Sequence, residues 1–161
     1  STSFYFGAYT RLYITNPGPT FTCTEVNDRF TTSTTTGNGQ LYNSNGVASP
    51  IATITADEVA YAGGYYTTNN TSYYIYQNAS SVASYWWTMS PCYWDGSWAR
   101  VWYVGGSSNG GRLGISSRVD DAYGVRPVVS LKSCVQWSEG NCTTATPYQV
   151  RINSSCINSE N

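Results

Sequence analysis

Short apolar runs broken by small polar turns constrain this chain most, and they crowd into residues 85–131. The segments YWWTMSP (85–91), ARVWYV (99–104), RLGISSRV (112–119) and GVRPVVSL (124–131) carry most of them. Alternation at a period of two predicts strands. Trp86 to Ser90 reads as one strand and Ala99 to Val104 as the next, with Trp102 assigned to the core because it alternates with Arg100 and Val104. Pro127 lacks an N–H, so its strand belongs at an edge or an irregular pairing. The intervening stretches are rich in Tyr, Trp, Ser, Gly, Asn, Asp and Arg. That mixture is the one paratopes use, with rigid rings for contact area and small polar groups for adaptable hydrogen bonds.

Outside this region the clearest signal is Thr55-Ala56-Asp57-Glu58, where Thr55 caps a helix and Glu58 completes a capping box. Gly63-Gly64 ends that helix. Residues 3–15 alternate aromatic and small side chains and read as a strand or hairpin, followed by a turn at Asn16-Pro17-Gly18-Pro19. Residues 20–30 alternate again, residues 31–50 read as a long surface loop, and residues 51–54 as a short strand. The Tyr- and Asn-rich stretch 65–78 reads as loop plus short strand, and 147–152 as a last strand. Helix formers are few among 161 residues while Thr, Tyr, Val and Ser abound, which leans toward strands and ordered loops, in one domain over residues 1–161.

Charge and histidine content exclude several functions. Net charge is −1 with a single lysine, Lys132, so no basic face for nucleic acid is visible. The chain has no histidine, which removes Ser-His and Cys-His nucleophiles and histidine-ligated metals. No cofactor or metal is expected. No apolar run reaches the length of a membrane span, so no direct membrane contact is expected of this fragment. The opening STSFYFGAYT carries no leader pattern and reads as the start of a mature or trimmed fragment, from which an N-terminal anchor could have been removed.

Five cysteines stand at 23, 92, 134, 142 and 156. Cys134 and Cys142 bracket the polar stretch VQWSEGN, which reads as a hairpin loop that a disulfide could close, contributing roughly 3 kcal/mol in the chain-entropy model. Cys23 and Cys156 could staple the two ends, leaving Cys92 over. The alternative is a set of reduced thiols; low lysine and a Tyr/Thr/Asn-rich composition favour an oxidising, extracellular setting.

TADEVAYAGG, YWWTMSP, ARVWYV, GVRPVVSL and PYQV, in that order, resemble the C-terminal domains of bacterial proteins fused to type IV pilin-like N-terminal helices. Those domains are C-type lectin-like, of the formylglycine-generating-enzyme group, and similar to variable proteins of diversity-generating retroelements. The resemblance covers roughly residues 51–152. It implies a compact α+β domain of C-type lectin-like fold, with twisted antiparallel strands, one or two short helices and much ordered loop. It also implies a variable region with its framework over residues 85–131. The framework would be Trp86, Met89, Pro91, Ala99, Val101, Trp102, Val104, Leu113, Val119, Gly124, Val125, Arg126, Pro127 and Leu131. The ligand-binding positions would be Cys92, Tyr93, Trp94, Asp95, Ser97, Trp98, Tyr103, Ser107, Ser108, Arg112, Ser116, Ser117, Arg118, Asp120, Asp121 and Tyr123.

Adenine-directed change of an Asn codon yields Tyr, Ser, Asp, Gly, Cys and Arg, all present there, whereas Trp94 and Trp98 must be fixed or of other codon origin. The expected function is non-enzymatic binding of a protein or glycan by a face that a retroelement diversifies. The expected place is a bacterial cell surface, pilus-like, or else a phage virion, with pilus or phage subunits as assembly partners.

Other readings are a structural pilin-like subunit without diversification, and an oxidase of the formylglycine-generating kind. Asp95, Asp120 and Asp121 could form a calcium site, but no Glu-Pro-Asn or Trp-Asn-Asp triplet accompanies them, and a solvated acidic loop is the preferred reading. Arg126 is expected to be structural, paired with Asp57 or Glu58.

Overall fold

The computed structural model describes residues 2–14, 18–22, 30–31, 39–40, 51–77, 84–129, 135–141 and 145–152. The chain forms two compact bodies, residues 1–128 and 129–161. Cys23, Leu131, Cys134, Cys142 and Cys156 lie outside the described residues, and with them both expected disulfides.

The first body is mixed α and β with mostly antiparallel strands, the α+β class expected from the sequence. Its centre is a four-stranded antiparallel sheet in the order β1 (Phe4–Tyr5), β5 (Trp86–Trp94), β6 (Ala99–Val104), β7 (Leu113–Arg118). Around it stand α1 (Gly7–Tyr9), a π-helical turn (Thr10–Ile14), α2 (Ala56–Ala62) and α3 (Tyr74–Gln77). Phe30–Thr31 (β2) and Gly39–Gln40 (β3) pair in parallel over two residues, and Ile51–Thr53 (β4) pairs with Pro127–Val129 (β8).

Strand β6 spans the predicted residues, but β5 runs on past Ser90 to Trp94. Pro91 interrupts the pattern without ending the strand, because the register with β6 shifts on either side of it. An irregular pairing is where a residue without an N–H is tolerated.

The inward face of β5 carries Trp86, Thr88, Ser90 and Cys92. Its hydroxyls are buried yet satisfied. Thr88 Oγ1 donates to the Trp102 carbonyl at 2.8 Å, and Ser90 Oγ accepts from the Ala56 N–H at 3.0 Å. Each such bond contributes about 1 kcal/mol net, and each here ties β5 to a neighbour, β6 or α2. Trp102, Val104, Leu113, Val59 and Cys92 are the largest fully buried side chains.

Helix α2 begins as predicted. Glu58 N donates to Thr55 Oγ1 at 3.1 Å and Thr55 N to Glu58 Oε2 at 2.8 Å, closing the capping box. It ends at Gly63, whose φ of 113° is the left-handed conformation that favours glycine.

Other expectations are corrected. The strand or hairpin expected over residues 3–15 is strand only at Phe4–Tyr5 and helical over Gly7–Tyr9 and Thr10–Ile14, where Tyr5, Tyr9 and Tyr13 recur every four residues and their rings pack at 4.7 and 4.8 Å. Ala8 and Leu12 share that spacing and are buried. The short strand expected within 65–78 is instead α3, with Tyr73 and Tyr76 buried. Asp57 is not the partner of Arg126; it takes Arg11 at 2.7 Å and the Thr20 N–H at 2.9 Å. Arg126 donates to the Ile75 carbonyl at 2.5 Å and lies 4.7 Å over the Trp86 ring, so it is structural through a carbonyl and a ring. Val119, Val125 and Pro127, assigned to the framework, are exposed.

The second body holds an antiparallel hairpin of β9 (Val135–Trp137) and β10 (Val150–Ile152). The stretch VQWSEGN is therefore strand for its first three residues and not loop throughout. Its turn is tied by Gln149 N to Glu139 O at 2.9 Å, and Trp137 packs on Tyr148 at 5.0 Å.

Candidate binding surface

The β5–β6 turn is built by Asp95. Its Oδ1 accepts the N–H groups of Ser97 (2.9 Å) and Trp98 (2.8 Å), a side-chain mimic of a backbone turn. Its Oδ2 receives Arg100 Nε at 2.9 Å and a second guanidinium nitrogen at 2.7 Å. The Arg100 bond, then the two amides, hold the Asp95 carboxyl below the usual carboxylate range. Arg100 also reaches the Ser116 carbonyl on β7 at 2.6 Å, so one side chain links turn, β6 and β7. Arg100 was absent from the expected positions because ARVWYV reads as framework; an arginine five residues after a turn aspartate was the available signal.

Beside this link, the Arg118 guanidinium sits 3.5 Å over the Trp98 ring and grips Asp120 through two bonds, at 2.9 and 2.5 Å. That pairing pushes the Arg118 pKa up and the Asp120 carboxyl down. Asp121 Oδ2 accepts the Arg118 N–H at 2.8 Å, turning the chain away after β7. Ser97, Trp98, Ser116 and Asp120 are exposed, with Trp98 at 44 %; Trp94, Asp95, Arg118 and Asp121 are half-buried. This end of the sheet collects half of the expected binding residues.

The remaining positions go elsewhere. Tyr123 packs on Trp87 (4.5 Å), Tyr85 (5.1 Å) and Tyr103 (5.5 Å), and its hydroxyl meets Ser117 Oγ at 2.7 Å. Ser117 is only 5 % exposed. Tyr103 lies so close over Gly114 that a Cβ there would overlap its ring. Tyr103, Ser117 and Tyr123 thus form a latch that holds the chain after β7 against the sheet. Tyr93 is half-buried between Tyr5 and Tyr9, at 6.1 and 5.1 Å. Ser108 is exposed and bonds the Tyr85 hydroxyl at 3.2 Å; the Ser107 side chain lies outside the described set. The Gly105–Gly111 turn is not a free loop, since Gly110 and Gly111 are buried and accept from Asn70 N and the Tyr73 hydroxyl. Arg112, after that turn, lies at the opposite end of β6 from Trp98.

Cys92 does not project. It is 0 % exposed on the inward face of β5, where burial pushes its thiol well above the usual range and leaves it protonated at neutral pH. Among the described residues no group of three or more His, Cys, Asp or Glu could hold a metal ion. The surface offers rings, hydroxyls and paired charges on a hydrogen-bonded sheet. No family model matches the chain, and neither the curated proteins nor the solved structures compared with it give a match.

Proposed function

We propose that this chain is a non-enzymatic display domain of C-type lectin-like fold, a variable protein of a diversity-generating retroelement. It binds a protein or glycan ligand through Ser97, Trp98, Ser116, Arg118 and Asp120, at a bacterial cell surface or on a phage virion. The observation that carries this reading is Trp98, an exposed ring already fixed on Arg118 at one end of a sheet whose frame, Trp102, Val104 and Leu113, is fully buried. Trp and Arg dominate binding hot spots. A ring ordered before binding loses little entropy on contact, and the stack itself contributes about 0.5–1 kcal/mol at an exposed site. The side chains that reach solvent are not those that hold the sheet, so they can change while the backbone stays. The same arrangement suits a protein whose specificity is rewritten, with pilus or phage subunits as its carriers.

A surface-displayed library tests it, with residues 97, 98, 116, 118 and 120 randomised and variants sorted first for protease resistance, then for capture of unrelated protein and glycan targets. The reading expects most variants to stay folded and different targets to select different residue sets. If randomising these positions unfolds the chain as often as randomising 86, 102 and 113 does, the surface is framework and the reading fails.

A further inference from the structure

In the first body, a cleft of about 290 Å³ opens between the π-helical turn and α2. Leu12, Tyr13, Pro19, Ala60, Tyr65 and Tyr66 supply much of its wall, and Leu113 of β7 also lines it. Tyr13 and Tyr66 meet edge to face at 4.6 Å and form one corner. Leu113 N donates to the Tyr65 carbonyl at 3.0 Å, and Arg112 stands outside the cleft lining, reaching it only through Tyr66. The Arg112 guanidinium lies 5.2 Å over the Tyr66 ring.

Charge distinguishes this arginine. Arg11, Arg100, Arg118 and Arg151 face Asp57, Asp95, Asp120 and Glu139. Arg126 is spent on the Ile75 carbonyl. Among the described residues Arg112 has a ring and no carboxylate. A guanidinium presents donors in a fork that matches a carboxylate, and the rings beside it present flat apolar faces. The volume is near the lower end for ligand pockets, about 300 Å³, which fits one ring and not a chain of them.

We propose that this cleft is a second binding site, separate from the Trp98 surface, for a small carboxylate carried on a six-membered ring. The ring packs against Tyr13 and Tyr66 and the carboxylate pairs with Arg112. Burial and the Tyr13 hydrogen bond raise the Tyr66 phenol, so it stays neutral and does not repel the anion. An acidic sugar of a glycan and a free aromatic acid share this chemistry. The proposal stands without the display reading, because it uses neither the Trp98 surface nor diversification.

Isothermal titration of the whole chain with glucuronate, N-acetylneuraminate and benzoate, and with glucose as the uncharged control, tests it. The expected result is a roughly millimolar Kd for at least one acid and none measurable for glucose. Arg112→Gln should weaken the acid by roughly tenfold or more, as loss of a charged hydrogen bond does. Ala60→Leu should block it by filling the cleft while keeping the charge and a good helix former. Binding of the sugar acids identifies a glycan as the source; binding of benzoate alone identifies an aromatic acid. No binding by any acid, equal binding of glucose, or full affinity in Arg112→Gln with its circular dichroism unchanged overturns the proposal.

Discussion

Tyr123 is the side chain whose removal should do most to free the segment after β7. Tyr123→Phe deletes one bond, the 2.7 Å contact with Ser117 Oγ, and leaves a buried hydroxyl to find a new partner. That costs about 1–2 kcal/mol. Tyr123→Ala also removes the ring from Trp87, Tyr85 and Tyr103. Aromatic pairs contribute about 0.5–1.5 kcal/mol each beyond area, and these three overlap, so about 2 kcal/mol is a fair share. Half-burying the ring contributes about 1 kcal/mol more. With the hydroxyl's share the total is about 4–5 kcal/mol, the upper part of the range for large-to-small aromatic truncations. Urea unfolding followed by tryptophan fluorescence measures it, and at a slope of about 2 kcal/mol per molar the midpoint should fall by about 2 M. Val119→Ala, at an exposed side chain in the same loop, should change stability by less than about 0.5 kcal/mol. The pair Tyr123→Phe and Ser117→Ala should be non-additive, since each removes the same bond. A Tyr123→Ala cost below about 1 kcal/mol would refute the latch.

Thr55→Ala should cost about 1 kcal/mol through loss of the capping box, read as a lower urea midpoint, and Thr55→Ser should restore it. Asp95 and Asp120 have folded pKa values below their ordinary ones, so the stability they contribute is fully present above about pH 4 and is lost as pH falls through the lower folded values. Trp98 fluorescence should accordingly change on acidification below that point, and Asp95→Asn should abolish part of the change. Cys92 should resist a thiol reagent at pH 8 and react only on unfolding, as mass mapping of its peptide would show.

The legible parts of the sequence were those where local chemistry and tertiary demand agree. Thr55 and Glu58 close their box within one turn, and Trp102 sits inward with Val104 where the burial of β6 alternates. The strand after Ser90 was hidden because Pro91 breaks its register and Cys92 alone carries its buried face, while the Thr88 and Ser90 hydroxyls before it are satisfied by β6 and α2, far away in sequence. The N-terminal helical segment was hidden because aromatic and β-branched residues at a four-residue spacing mimic strand composition. Among the candidate binding positions, Asp95, Ser97, Trp98, Ser116, Arg118 and Asp120 do meet at one end of the sheet. Composition could not separate them from Tyr103, Ser117 and Tyr123, because a ring that packs on a sheet and a ring that waits for a ligand are the same residue. Cys92 and Arg112 were misplaced for a related reason, since proximity in sequence says little about which face or end of a strand a side chain reaches.

Sequencing this gene in many individuals of the source population tests the central claim most directly. The account predicts adenine-directed substitutions clustered at codons whose side chains project, among them 97, 116, 118 and 120, with Trp86, Cys92, Trp102, Leu113, Ser117 and Tyr123 constant. Sparse changes spread evenly along the gene, or substitutions as frequent at the buried and latch positions as at the projecting ones, would contradict it.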